Sequence, residues 1–176
     1  MINHIQQRNI SIKVKIAVNM SKSIHPRVKA IINEAIKEAE SLDDVNVRPE
    51  HIMLALLNDR TNECVKVFKS MDINIEDLHD NVSDFLRQID IIPRIAVSTR
   101  RKPEFSSETK LIFKSVDKEC EKLNNKLIDA RHIVLAILAN ALPINKVLGD
   151  MGINYAAFNE KLKDEIQYWK DKFGND

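Results

Sequence analysis

The chain has 176 residues, 44% of them hydrophobic, enough for one ordinary domain or two small lobes sharing a core. Only three glycines and five prolines occur and aromatic content is 5%, a composition that describes a mostly helical protein. The formal charge of +1 supplies none of the basic surplus that nucleic acid or an anionic membrane demands, so neither is expected as a partner.

In chain order, the first signal is "ISIKVKIAVN" at 10–19, where Ile10, Ile12, Val14, Ile16 and Val18 alternate with polar residues. Strict alternation predicts a strand. Next, Val28, Ile31, Ile32, Ala35, Ile36, Ala39 and Leu42 recur at three- and four-residue steps behind Pro26, the pattern of an amphipathic helix opened by proline at its first position. "RPEHIMLALL" at 48–57 predicts a shorter helix, begun by Pro49 and apolar nearly all round, hence central. A third helix is expected through Val65, Val67 and Phe68, and a fourth over 75–89. The segment "RIAVST" at 94–99 alternates again and is expected to pair with 10–18, or to leave 10–18 to pair with its equivalent in a second molecule. The basic run through Lys102 reads as a solvated connector.

The pattern then repeats. "KEAESL" (37–42) matches "KECEKL" (118–123), and "RPEHIMLALL" matches "DARHIVLAIL" (129–138), both at an offset of 81 that also relates His51 to His132. "SMDINIEDL" (70–78) matches "DMGINYAAF" (150–158) with one residue lost. Asp129 is the expected N-cap of the second central helix. Ile144, Val147 and Leu148 form the second copy's third helix, closed by Gly152, and 155–171 its fourth. At the place of Gly152 the first copy has Asp72, which tolerates a left-handed backbone less well. Repetition at this length implies a unit that completes its core with its neighbour. The expected fold is therefore all-α, with two tandem pseudo-symmetric four-helix repeats, eight helices, and a short added strand pair. The division is an N-terminal extension over 1–22 and a repeat domain over 23–176: repeat 1 at 23–90, a connector at 91–104 and repeat 2 at 105–172.

Two copies of such a unit, each with an "EHIMLALL"-like second helix and an "MGIN"-like turn, resemble the Clp N-terminal (repeat) domain that precedes the ATPase rings of Clp-type unfoldases. The resemblance covers about 23–165; residues 1–20 and the strand-like connector depart from it. It implies a non-catalytic platform that docks substrate or adaptor proteins, including phosphoarginine-marked ones, with Clp ATPase and protease subunits in cis or in trans. The alternative is a free-standing regulator or adaptor of a Clp complex with the same fold, favoured by the extra N-terminal strand.

Catalytic signatures are missing. The chain contains no GxxxxGK[ST] loop to cradle phosphates. No HExxH accompanies His51 or His132, which read as structural histidines near helix starts, and His4, His25 and His79 lie in unlike contexts. Cys64 and Cys120 form no CxxC pair, and Cys120 replaces Ala39 on a core stripe, so both read as reduced, unactivated thiols of a cytoplasmic protein. Neither a metal nor a cofactor is expected, and no apolar run of about 18 residues or signal peptide is visible. An unrelated hydrolase or metal protein would need a convergent polar cleft, of which the sequence gives no sign. Tyr155, Tyr168 and Trp169 read as core caps, with an aromatic contact patch as the other use.

The candidate ligand residues follow from the resemblance. In ClpC-type relatives a glutamate just before the histidine helps hold the guanidinium of phosphoarginine, aided by a hydroxyl residue at the preceding helix start. The matching positions here are Glu50 with His25 in the first unit and Arg131 with Ser106 in the second, so each half keeps part of the pattern. Arg131 cannot accept from a guanidinium and would repel it. The expectation is that phosphoarginine or basic-peptide docking is confined to Glu50, and that the second unit has lost it or binds an acidic partner.

Overall fold

The computed structural model describes residues 21–89 and 102–173. Among these lie eight helices and four two-residue strands: β1 (Ser23–Ile24), α1 (Pro26–Ser41), β2 (Asn46–Val47), α2 (Pro49–Asn58), α3 (Glu63–Ser70), α4 (Ile75–Ile89), β3 (Glu104–Phe105), α5 (Ser107–Lys122), β4 (Leu127–Ile128), α6 (Ala130–Ala139), α7 (Ile144–Asp150) and α8 (Tyr155–Phe173). The all-α duplicated architecture is as the periodicity predicts. The strand expected over 10–18 and its partner at 94–99 lie outside the described residues.

Each α1-type helix starts and stops for local reasons. Pro26 occupies the first turn of α1, and the Nδ1 of His25 accepts the Arg27 backbone N–H at 3.1 Å. Ser106 caps α5 in the same way, its Oγ accepting from the Thr109 N–H at 3.1 Å. Both helices end on left-handed residues, Asp43 (φ 52°) and Asn124 (φ 54°). The backbone then folds back, Asp44 N–H donating to Ala39 O and Asn125 N–H to Cys120 O, each at 2.9 Å. Asp72 (φ 60°) and Gly152 (φ 79°) do the same after α3 and α7. All four left-handed positions are thus paired by the repeat, although only one is glycine.

The core is built around α2 and α6, which pack on each other and on their own α1 and α5. Ile52, Met53, Leu56 and Leu57 of α2 and Val134, Leu135, Ala136 and Ile137 of α6 are wholly buried. Each such aliphatic side chain contributes about 1.5–3 kcal/mol by leaving water. Leu138, the counterpart of Leu57, is half-buried against the edge of this core. Beyond it the units interlock: α3 packs on α8 and α6, and α4 on α7, so the third helix of each unit lies against the fourth of the other. Phe68 and Phe158, 5.2 Å apart, join α3 to α8.

The strands interlock the units further. β1 pairs in parallel with β4, and β2 with β3. The entry strand of each unit therefore lies beside the strand that precedes the other unit's central helix.

Two polar devices in and beside the core are also duplicated. Asn62 donates to Leu56 O and Asp59 O, both at 2.6 Å, and Asn145 donates to Ile137 O and Asn140 O at 3.0 and 2.6 Å, holding the ends of α2 and α6. His51 and His132 are fully buried, and each Nδ1 accepts the backbone N–H of the residue capping its helix, Arg48 at 3.0 Å and Asp129 at 2.9 Å. Their role is structural, as their sequence context implies.

Candidate functional site

The crossed strands bring together helix starts from different units, and so create two related sites. At the first, Ser106 N–H donates to Val47 O at 3.1 Å and Thr109 Oγ donates to the same carbonyl at 2.8 Å, seating the start of α5 beside that of α2. At the second, His25 N–H donates to Ile128 O at 2.8 Å, seating the start of α1 beside that of α6. Glu50 therefore belongs with Ser106, and Arg131 with His25. This corrects the within-unit grouping drawn from chain order, which set His25 with Glu50 and Ser106 with Arg131. The physical reason is the parallel exchange of strands between units, of which two-residue segments give no periodic signal.

At the first site Glu50 is only 3% exposed. Burial pushes its carboxyl above the ordinary range, opposed by its own backbone N–H and by Arg48, while Glu108 and Asp44 push it further up. Glu108, in the first turn of α5, is held low by its own backbone N–H and by Ser106, and Ser107 Oγ donates to its Oε2 at 3.0 Å. Arg48 pairs with Asp44 at 3.2 Å.

At the second site an arginine, Arg131, stands at the position of Glu50. Arg131 forks onto Asp129, its Nε 3.1 Å from both carboxylate oxygens and its Nη2 against Oδ2, and the Arg131 backbone N–H also donates to Oδ1 at 2.9 Å. Burial alone would raise the Asp129 carboxyl, but the guanidinium of Arg131 forked onto it holds it well below its usual range. Arg27, in the first turn of α1, reaches Asp59 at 3.3 Å and Glu63 at 3.6 Å. The first turns of α1 and α6 contain no acidic residue, whereas those of α2 and α5 contain Glu50 and Glu108.

The second site opens into a cavity of about 620 Å³ between the units. It is lined by His25, Arg27 and Arg131 from the helix starts and by Leu162, Ile166 and Trp169 of α8. Trp169 is 45% exposed with the Lys66 ammonium 5.4 Å from its ring. Trp169 and Tyr168 are thus surface residues, not caps of the core. Tyr155 is half-buried, its hydroxyl donating to the buried Glu119 at 2.7 Å. Arg27, Lys66 and Trp169 were not singled out by sequence reasoning. Arg27 was within reach of it, because the offset of 81 that relates Glu50 to Arg131 also relates Arg27 to Glu108.

Neither thiol is poised for chemistry. Cys64 is fully buried, and desolvation pushes it well above the ordinary thiol range; burial raises Cys120 as well. Among the described residues no cluster of three or more His, Cys, Asp or Glu side chains is placed to hold a metal, and no single helix is long and apolar enough to cross a membrane.

Known proteins share this architecture. The chain is 30% identical over 142 residues to a probable ATP-dependent Clp protease ATP-binding subunit of Chlamydia pneumoniae, covering 80% of this chain and 16% of that protein. It is 26% identical over 118 residues to the chaperone protein ClpB of Bacillus cereus, covering 65% of this chain and 14% of the relative. It thus spans less than a fifth of the length of these curated relatives. Among solved structures, the N-terminal domain of the chaperone ClpD from Arabidopsis thaliana superposes with a TM-score of 0.61 at 20% identity, over 82% of this chain and 94% of that one. The Clp repeat (R) N-terminal domain family matches residues 23–142, more than half of the sequence, and the chain belongs to that family.

Proposed function

We propose that the chain is a non-catalytic, cytoplasmic docking domain that receives substrate or adaptor proteins for a Clp-type ATP-driven unfoldase, supplied in cis or in trans. The observation that carries this reading is the pair of helix-start sites built across the interlocked units of a Clp N-terminal domain. Each joins two helix N-termini, whose dipoles favour a polar ligand. Support also comes from the exposed Trp169 beside an apolar wall, the kind of anchor that enriches protein-binding surfaces.

Recognition of a guanidinium, including that of phosphoarginine, is assigned to the site of Glu50 and Ser106. A carboxyl that burial has pushed upwards gains its full charge when a cation arrives, and Glu108 adds a second acceptor. Arg131, with His25 at the opposite site, repels such a group. Calorimetric titration of the full chain with a phosphoarginine peptide tests this, beside the Glu50→Ala variant. Binding that disappears with Glu50→Ala is expected. No binding, or equal binding without Glu50, removes the guanidinium assignment. A permanently unfolded, reduced and alkylated protein tests the wider docking role, and its failure to bind at any concentration the chain tolerates would contradict that role.

A further inference from the structure

Glu50 and Glu108 stand at neighbouring helix starts, yet their carboxylates are held differently. Glu50 is buried, and among the described residues no side chain donates to it; its own backbone N–H and the charge of Arg48 oppose its desolvation. A desolvated carboxylate in that state gains most from a cationic donor. Glu108 is already satisfied: its carboxylate takes its own backbone N–H and the hydroxyls of Ser106 and Ser107, the latter at 3.0 Å. Those are donors with which the start of α5 could otherwise receive an anion, since the Thr109 N–H is spent on Ser106 Oγ and the Lys110 N–H on Ser106 O. The start of α2 offers little in their place. Pro49 has no N–H, the Glu50 N–H faces its own carboxylate, and the Ile52 N–H donates to Arg48 O. Arg48, the cation that acts on both carboxylates, is paired with Asp44 at 3.2 Å. Nor does the frame demand an acid here, because the offset of 81 places Arg27 at the position of Glu108.

We infer that the site of Glu50 and Ser106 selects unmodified arginine, and that Glu108 is the residue that disfavours the phosphorylated form. A guanidinium seated on Glu50 keeps any phosphoryl group on its nitrogen beside the same two helix starts. There the phosphoryl oxygens meet the Glu108 carboxylate, which already holds the hydroxyls. Phosphorylation has also turned the ligand from a cation into a group of net negative charge. Phosphoarginine still reaches Glu50 through its guanidinium, but against a repulsion that arginine does not meet. The partner is therefore a protein segment that displays plain arginine. The inference rests on the guanidinium assignment proposed above and adds selectivity to it.

The probes are glycine–serine peptides carrying a single arginine, phosphoarginine or citrulline, each followed by amide NMR titration of the full chain. Arginine is expected to bind about tenfold more tightly than phosphoarginine, and more tightly than citrulline, which keeps the shape without the charge. Added sodium chloride should narrow the gap between arginine and phosphoarginine by screening the repulsion. Glu108→Gln should bring the two within about twofold of each other. Glu121→Gln, an equal change of charge at the far end of α5, should leave the gap as it is. Phosphoarginine binding as tightly as arginine, a preference that survives Glu108→Gln, or equal narrowing in Glu121→Gln overturns the inference. In those cases binding that is still lost with Glu50→Ala leaves the guanidinium assignment standing; if none of the peptides binds, both fail.

Discussion

The helix starts at Glu50 and at Arg131 share a backbone plan and oppose each other in charge. Strand pairing, capping histidine and neighbouring helix start are the same in both, so the difference lies almost wholly in side chains on a duplicated frame. The frame is maintained by groups that never reach solvent, His51 and His132 among them, while the first-turn residues above it are free to diverge. Duplication of this kind separates what must be kept for folding from what can be altered for binding.

The largest expected effect sharpens the comparison at the level of packing. Leu57→Ala should cost about 2–5 kcal/mol in denaturant melts, because its side chain is fully buried in the core. Leu138→Ala, at the half-buried counterpart, should cost clearly less, about half as much. Equal losses would show that the two central helices are packed alike and that the asymmetry of burial is mistaken.

The caps come next. Asp129→Ala removes the cap of α6 and the partner of Arg131, an expected loss of about 1–2 kcal/mol. Its folded pKa is depressed, so the stabilisation is complete above an unfolded value of about 3.9 and disappears as pH falls from there towards the lower folded value. Melting temperatures of wild type and variant should converge in acid; a gap that stays constant to low pH would contradict the pairing.

Much of this frame is legible in the sequence, and the reason is periodicity. Helices α1, α2, α5 and α6 each carry a stripe or a continuous apolar run that only burial explains, and the repeat confirms them against each other. The turns at Asp72 and Gly152 are legible because one copy uses glycine where the other does not. Those at Asp43 and Asn124 escape, since Asp and Asn are common in exposed turns of every kind. The strand exchange escapes for a stronger reason: Ser23–Ile24 and Glu104–Phe105 are too short to alternate, and their partners are distant in sequence. With the exchange hidden, Glu50 and Ser106 are assigned to different halves, and the sign change at Arg27 and Glu108 goes unnoticed. Trp169 is misread because an aromatic near the end of an amphipathic helix looks the same whether it covers a core or a cavity.

The smallest effect separates structure from function at the first site. Glu50 has a raised folded pKa, so between an unfolded value of about 4.3 and that higher value unfolding releases a proton, and stability falls as pH rises. Glu50→Gln removes this dependence and is expected to leave neutral-pH stability within about 0.5 kcal/mol of wild type, or to raise it. A substantial loss would make Glu50 a structural residue. A flat stability with lost binding would mark it as a residue kept for its ligand.

The most direct measurement is an amide NMR titration of the full chain with the phosphoarginine peptide. Shifted resonances are predicted at the starts of α2 and α5 around Glu50 and Ser106, with those at the start of α6 around Arg131 unmoved. Shifts confined to the start of α6, or spread equally over both helix starts, would contradict the assignment of guanidinium recognition to Glu50.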